Sequence, residues 1–85
     1  MTTSSVDWDL LRVFLALMRA NTLREAAAAL GTSHPTVRRK LHTLETQLGV
    51  VLFERAQQGL RATLEAAELL ALAESVEASI DALAR

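Results

Sequence analysis

The 85-residue chain contains no cysteine and no tyrosine, a single proline, three glycines and only three aromatic side chains, Trp8, Phe14 and Phe53. Without cysteine, neither a disulfide framework nor a cysteine-ligated zinc site can form, which fits a reducing cytoplasm, the expected location. No apolar run approaches the ~20 residues of a membrane-spanning helix. The opening stretch MTTSSVDWD carries acids and no basic region, so it does not read as a signal peptide. A soluble chain with one small core is expected. Catalytic apparatus is equally scarce. There is no P-loop, no GxGxxG and no Ser/His/Asp or Cys/His arrangement. His34 and His42 stand two helical turns apart, too far to share a metal unaided, so no enzyme activity, metal or cofactor is expected.

Hydrophobic residues nevertheless make up 51% of the chain, mostly alanine and leucine, and this composition favours helices. The core must be packed mainly from leucine and valine, with the aromatics as a few bulky plugs. Residues 10–20, LLRVFLALMRA, read as a first helix with Asp7 or Asp9 able to cap it, and with apolar residues round most of its circumference. Thr22 and Glu25 match a capping box at the start of a second helix, LREAAAAL, which Gly31 ends. After the short GTS connection a third helix begins, capped by Ser33 or Thr32, with Pro35 in its first turn, where a missing N–H costs little. Val37, Leu41, Leu44 and Leu48 form its apolar stripe, and Gly49 closes it. Two helices joined by a tight, glycine-containing turn make a helix-turn-helix candidate.

The stretch VVLFERAQQGLRAT then reads as a small β-hairpin. From about Leu64 to Ala84 the pattern is helical again, with Leu69, Leu72, Val76, Ile80 and Leu83 on one face. Such a helix is roughly 30 Å long, too long for so small a domain to cover fully. The expected architecture is mainly α, with residues 1–63 as a winged helix-turn-helix of three helices and a two-stranded wing, and 64–85 as a long terminal helix.

The net charge of −1 conceals a division. Residues 12–61 hold eight cations against three carboxylates, a balance of +5, and the two ends hold one cation against seven, a balance of −6. A basic middle suggests an anionic partner, and an acidic tail a different task. Arg38, Arg39 and Lys40 concentrate the positive charge in the third helix. With the Val37–Leu48 stripe turned inward, Pro35, Arg39, His42 and Thr46 project outward at 100° per residue, flanked by Thr36 and Thr43 on one side and Arg38 on the other. Glu45 lies off that face and suits an ion-pair or capping role. Arginine forks, hydroxyls and imidazoles without a carboxylate fit base edges and phosphates, so the cluster points at DNA. Arg55 and Arg61, placed at the two roots of the hairpin, extend the same surface.

These residues resemble the N-terminal domain of LysR-type transcriptional regulators. The resemblance runs from about residue 7 to 63 without a gap. It is carried by Ala26, Ala27, Leu30, Ser33, Pro35, Val37, Arg39 and Leu41, then by Leu44-Glu45, Leu48-Gly49 and the LFER of Leu52 to Arg55. It implies a winged helix-turn-helix, a linker helix that mediates dimer contacts, and an interrupted palindrome as target. Thr22 and Ser33 would hold backbone near phosphates, and His34 (usually Gln in the family), Pro35 and Thr36 would approach base edges. Arg39 and Arg55 would contact backbone or groove. With Arg38, Lys40, Thr43 and Arg61, these make up the expected DNA-contact set, and Leu69, Leu72, Val76, Ile80 and Leu83 the expected homodimer seam.

Some positions depart from the family pattern. Arg38 replaces a usual small serine, and the wing turn AQQG lacks a cation often found there. The junction Ala62–Ala66 reads ATLEA, where LTEAG is common. The ligand-sensing domain typical of the family is not in this chain, so no small-molecule effector site is expected, and the chain is either a fragment or a stand-alone DNA-binding unit. The rival expectation is a helical interaction module that pairs through residues 64–84 and barely binds DNA.

Overall fold

A computed structural model describes residues 7–85; the opening six residues of the expected first domain lie outside the described part. The elements are α1 (Trp8–Arg19), α2 (Leu23–Leu30), α3 (His34–Leu48), β1 (Phe53–Ala56), β2 (Gly59–Ala62) and α4 (Leu64–Leu83). Each helix starts where its sequence supplies an acceptor for orphan N–H groups. Asp7 accepts from the Leu10 amide at 3.1 Å, Thr22 from Glu25 at 3.0 Å, and Ser33 from Thr36 at 3.4 Å. The carboxylate of Glu25 reciprocates one residue further back than a standard capping box, accepting from the Asn21 amide at 3.0 Å. Gly31 ends α2 in the left-handed region at φ 70°, and Thr32 N–H reaches back to the Ala27 carbonyl at 3.0 Å. That sharp stop sets α3 across α2.

The three helices enclose one core. Phe14, Leu15, Val37, Leu44 and Leu52 are its largest fully buried side chains, and each contributes about 1.5–3 kcal/mol by leaving water. In α1, Leu15 is buried on a different side from Leu10, Phe14 and Leu17, in line with the apolar circumference read from the sequence. The Phe14 and Phe53 rings meet at 5.9 Å between centroids, tilted by 49°, and so tie the hairpin to α1. The third-helix stripe holds for Val37, Leu41 and Leu44 but fails at Leu48, which is 37% exposed. The chain reverses at Gly49, and the fully buried Leu52 closes the core beyond Leu44 instead.

The hairpin pairs Phe53 with Ala62, Glu54 with Arg61, Arg55 with Leu60 and Ala56 with Gly59. Glu45 caps its entry: the carboxylate accepts from the Leu52 amide at 2.7 Å and the Phe53 amide at 3.3 Å. Thr63 holds its exit. Its amide donates to the Leu52 carbonyl at 2.9 Å, its hydroxyl donates to the Val51 carbonyl at 2.6 Å, and the same oxygen caps α4 by accepting from Ala66 at 3.2 Å.

The face that α4 turns inward is not the large-residue stripe. Ala66 and Ala73 are its buried residues, with Leu69 and Leu70 half-buried against the core. Small side chains let the helix lie close to the domain and rotate bulkier ones outward. The expected seam is therefore divided: Leu69 and Ile80 are half-buried, and Leu72 (67%), Val76 (38%) and Leu83 (85%) are exposed. Among the described residues, no helix is long and apolar enough to cross a membrane.

Candidate nucleic-acid interface

The turn at residues 31–33 and the burial of Val37, Leu41 and Leu44 leave the opposite side of α3 in solvent. His34, Pro35, Arg38, Arg39 and His42 together line one shallow, open depression there, and all five are exposed. Arg38 and Arg39 have no carboxylate within ion-pairing distance among the described residues. Thr46 is exposed on the same helix. The flanking hydroxyls are partly committed. Ser33 Oγ donates to Thr36 Oγ1 at 3.0 Å, and Thr43 donates to the Arg39 carbonyl at 3.0 Å. Both oxygens keep capacity to accept.

Lys40 lies apart from the other two cations. Its ammonium sits 2.6 Å from Asp9 Oδ2 in the first turn of α1, and the other oxygen of Asp9 is 3.8 Å from Arg12. Nothing at 31 residues' separation in the sequence announces this pair.

The strands are only four residues long, so Arg55 stands one residue from the turn rather than at a root of the hairpin. Arg61, nearer the root, faces Glu54 at 3.9 Å. Arg55 instead lines a cleft with Thr22, Leu23, Gly59 and Leu60, which brings the wing against the start of α2. The contact is close: Leu60 N–H donates to the Asn21 carbonyl at 3.1 Å, and a Cβ on Gly59 would fall 2.2 Å from that same oxygen. Thr22 is half-buried in this contact, with its hydroxyl occupied as the α2 cap.

One long-range pair has no local signal in the sequence. Arg19, at the end of α1, grips Glu77 of α4 through two hydrogen bonds of 2.9 and 2.7 Å, a bidentate clasp across 58 residues. The hydrogen bond to Arg19 holds the Glu77 carboxyl below the ordinary carboxylate range, and the same bond raises the Arg19 guanidinium. With Arg12, Arg19, Lys40 and Arg61 paired, the cations of the basic middle without a carboxylate partner, among the described residues, are Arg24, Arg38, Arg39 and Arg55. Two of these lie on the outer face of α3 and one on the wing.

Residues 8–68 match the family described as bacterial regulatory helix-turn-helix protein, lysR family. The chain belongs to this LysR family. It is 41% identical over 71 residues to the HTH-type transcriptional regulator BbuR of Bordetella bronchiseptica, covering 84% of this chain and 22% of that protein. It is also 41% identical over 66 residues to the transcriptional activator protein LysR of Escherichia coli, covering 78% and 21%. The chain thus spans about a fifth of the length of these relatives. Among solved structures, the BenM DBD in complex with benA site 1 DNA superposes with a TM-score of 0.86 at 25% identity, covering 93% of this chain and 89% of that one. Full-length CbnR complexed with its target DNA superposes with a TM-score of 0.87 at 29% identity, covering 93% and 27%.

Proposed function

We propose that this chain reads duplex DNA as the sequence-specific module of a transcriptional regulator, with α3 in the major groove. The observation that carries the reading is the outer face of α3, where Arg38 and Arg39 stand unpaired beside His34, Pro35 and His42 with no carboxylate among them. A helix about 10–12 Å across fits a major groove about 12 Å wide. His34, Pro35, Thr36 and Arg39 are the candidates for base edges, and Thr22, Ser33, Arg38, Thr43 and Arg55 for phosphates and sugars. Arg55 reaches the backbone from the wing, seated against the α2 N-terminus. Arg61, already facing Glu54, adds to that arm only when released. The solved relatives that hold DNA share this fold, which supports the same use of it.

The chain acts as a homodimer in this reading. Leu72, Val76 and Leu83 are exposed on α4, and a soluble protein generally covers a contiguous apolar surface. Pairing two α4 helices covers these residues. Two-fold symmetry then presents two α3 helices to two half-sites of a pseudo-palindrome.

The direct test is the salt dependence of binding to duplex DNA. An α3 and wing that neutralise several phosphates give an affinity that falls linearly on logarithmic axes, with a slope of about −0.9 per phosphate. Binding that is absent at low salt, with dimers still present, would leave only the helical-pairing alternative.

A further inference from the structure

We infer that Asp9 limits the sequence-blind DNA affinity of this surface: it ties Lys40 back to α1 and so withholds a cation from the phosphate backbone. The inference rests on the DNA reading above. Lys40 follows Arg39, and one residue along a helix turns its side chain by 100°, away from the outer face and toward the flank that meets α1. There its ammonium contacts Asp9 Oδ2 at 2.6 Å, and the lysine is half-buried, unlike the exposed Arg38 and Arg39. Asp9 stands in the first turn of α1, where the helix N-terminus favours a negative charge, and Arg12 flanks its second oxygen at 3.8 Å. One carboxylate therefore serves two cations at the edge of the recognition surface.

Lysine is a flexible point charge, suited to phosphate and not to planar base recognition. Released, Lys40 would swing its four-carbon stem out on the flank it shares with Thr36 and Thr43, beside the backbone that borders the groove. A phosphate contact there adds equal affinity for every sequence. Such a contact strengthens specific and non-specific complexes alike, so it raises absolute affinity and its salt dependence without changing the ratio between them. Asp9 removes that contact at its source.

The experiment compares Asp9→Asn, Lys40→Gln and the double variant with the unmodified chain, each titrated against random-sequence duplex DNA over a range of salt. The pair is at the surface, Asp9→Asn is isosteric and Lys40→Gln removes the charge while keeping most of the stem, and thermal melting checks that each variant is folded. Asp9→Asn should bind random duplex several-fold more tightly, with a salt slope steeper by about 0.9, the signature of one more neutralised phosphate. Lys40→Gln alone should leave the slope unchanged, and the double variant should lose the gain. The inference is overturned if Lys40→Gln alone flattens the slope by about 0.9, because the lysine then already holds a phosphate. It is overturned equally if Asp9→Asn changes nothing, or if its gain survives in the double variant. Absence of duplex binding by the unmodified chain would instead overturn the DNA reading, and this inference with it.

Discussion

Replacing Gly59 by alanine should detach the wing while leaving the helical core in place. Gly59 has φ +107°, a conformation side chains rarely adopt, and a Cβ there would lie 2.2 Å from the Asn21 carbonyl oxygen. Ordinary contacts begin at 3.4 Å, so the strand must retreat by about 1.2 Å from a backbone atom that has no rotamer to change. The retreat breaks the 3.1 Å bond from Leu60 N–H to that carbonyl, worth about 0.5–1.5 kcal/mol. Strain at a positive φ adds about 1–3 kcal/mol. The total of roughly 1.5–4.5 kcal/mol lowers the melting temperature of a domain this size by roughly 6–36 °C.

Gly31→Ala is the internal control, because its φ is also positive (+70°) but nothing lies within 4 Å of the added Cβ. It should cost only the conformational share, about 1–2 kcal/mol. Thermal unfolding followed by circular dichroism gives both values, and duplex binding should weaken in Gly59→Ala because Arg55 loses its seat beside Thr22. A Gly59→Ala variant no less stable than Gly31→Ala would refute the reasoning about wing docking.

Arg39→Ala should weaken binding by about 1–3 kcal/mol and relax specificity at one base position if its fork reads a base; the same loss on every sequence, with a salt slope lower by about one unit, would assign it to phosphate instead. Unchanged affinity would remove Arg39 from the site. Leu72→Glu with Val76→Glu places charge on the exposed face of α4, so sedimentation should show monomers and affinity for a two-half-site duplex should collapse, with the helical signal retained. An unmodified chain that is already monomeric at tens of micromolar would contradict the proposed seam. Arg19 lowers the Glu77 pKa, so the clasp stabilises the fold above the ordinary glutamate range and its contribution disappears as pH falls through the lowered value. The melting difference between the unmodified chain and Glu77→Gln should therefore close in acid, and a difference independent of pH would argue against the ion pair.

The features legible in the sequence are those encoded within a few residues of each other. Thr22 and Ser33 as caps, Gly31 as a stop, Pro35 in a first turn and the Val37–Leu41–Leu44 stripe each express a local rule, and each appears in the structure. Local periodicity also placed the outer face of α3 correctly, because burying one stripe fixes what lies opposite. It failed at Leu48, where the route of the following loop decides burial. On α4 the periodicity favours the larger apolar residues, but the helix docks through Ala66 and Ala73. Close approach to the domain selects small side chains, and hydropathy does not register that demand.

Charge pairing across the fold is equally invisible to local sequence. Counting cations by segment treats Arg12, Arg19, Lys40 and Arg61 as free, whereas each faces a carboxylate. The Arg61–Glu54 pair follows from hairpin register and could be read once the strands were aligned. Arg19–Glu77 and Lys40–Asp9 depend on how whole helices cross. What remains unpaired on α3 and the wing is a smaller and more directed positive surface than the sequence suggested.

The central claim, that α3 reads DNA sequence from a two-fold dimer, is tested most directly by selecting bound sequences from a pool of random duplex DNA with the unmodified chain. The expected result is enrichment of an inverted repeat whose half-sites are separated by about one helical turn, the spacing that a symmetric pair of recognition helices imposes. Recovery of sequences no different from the starting pool would contradict it.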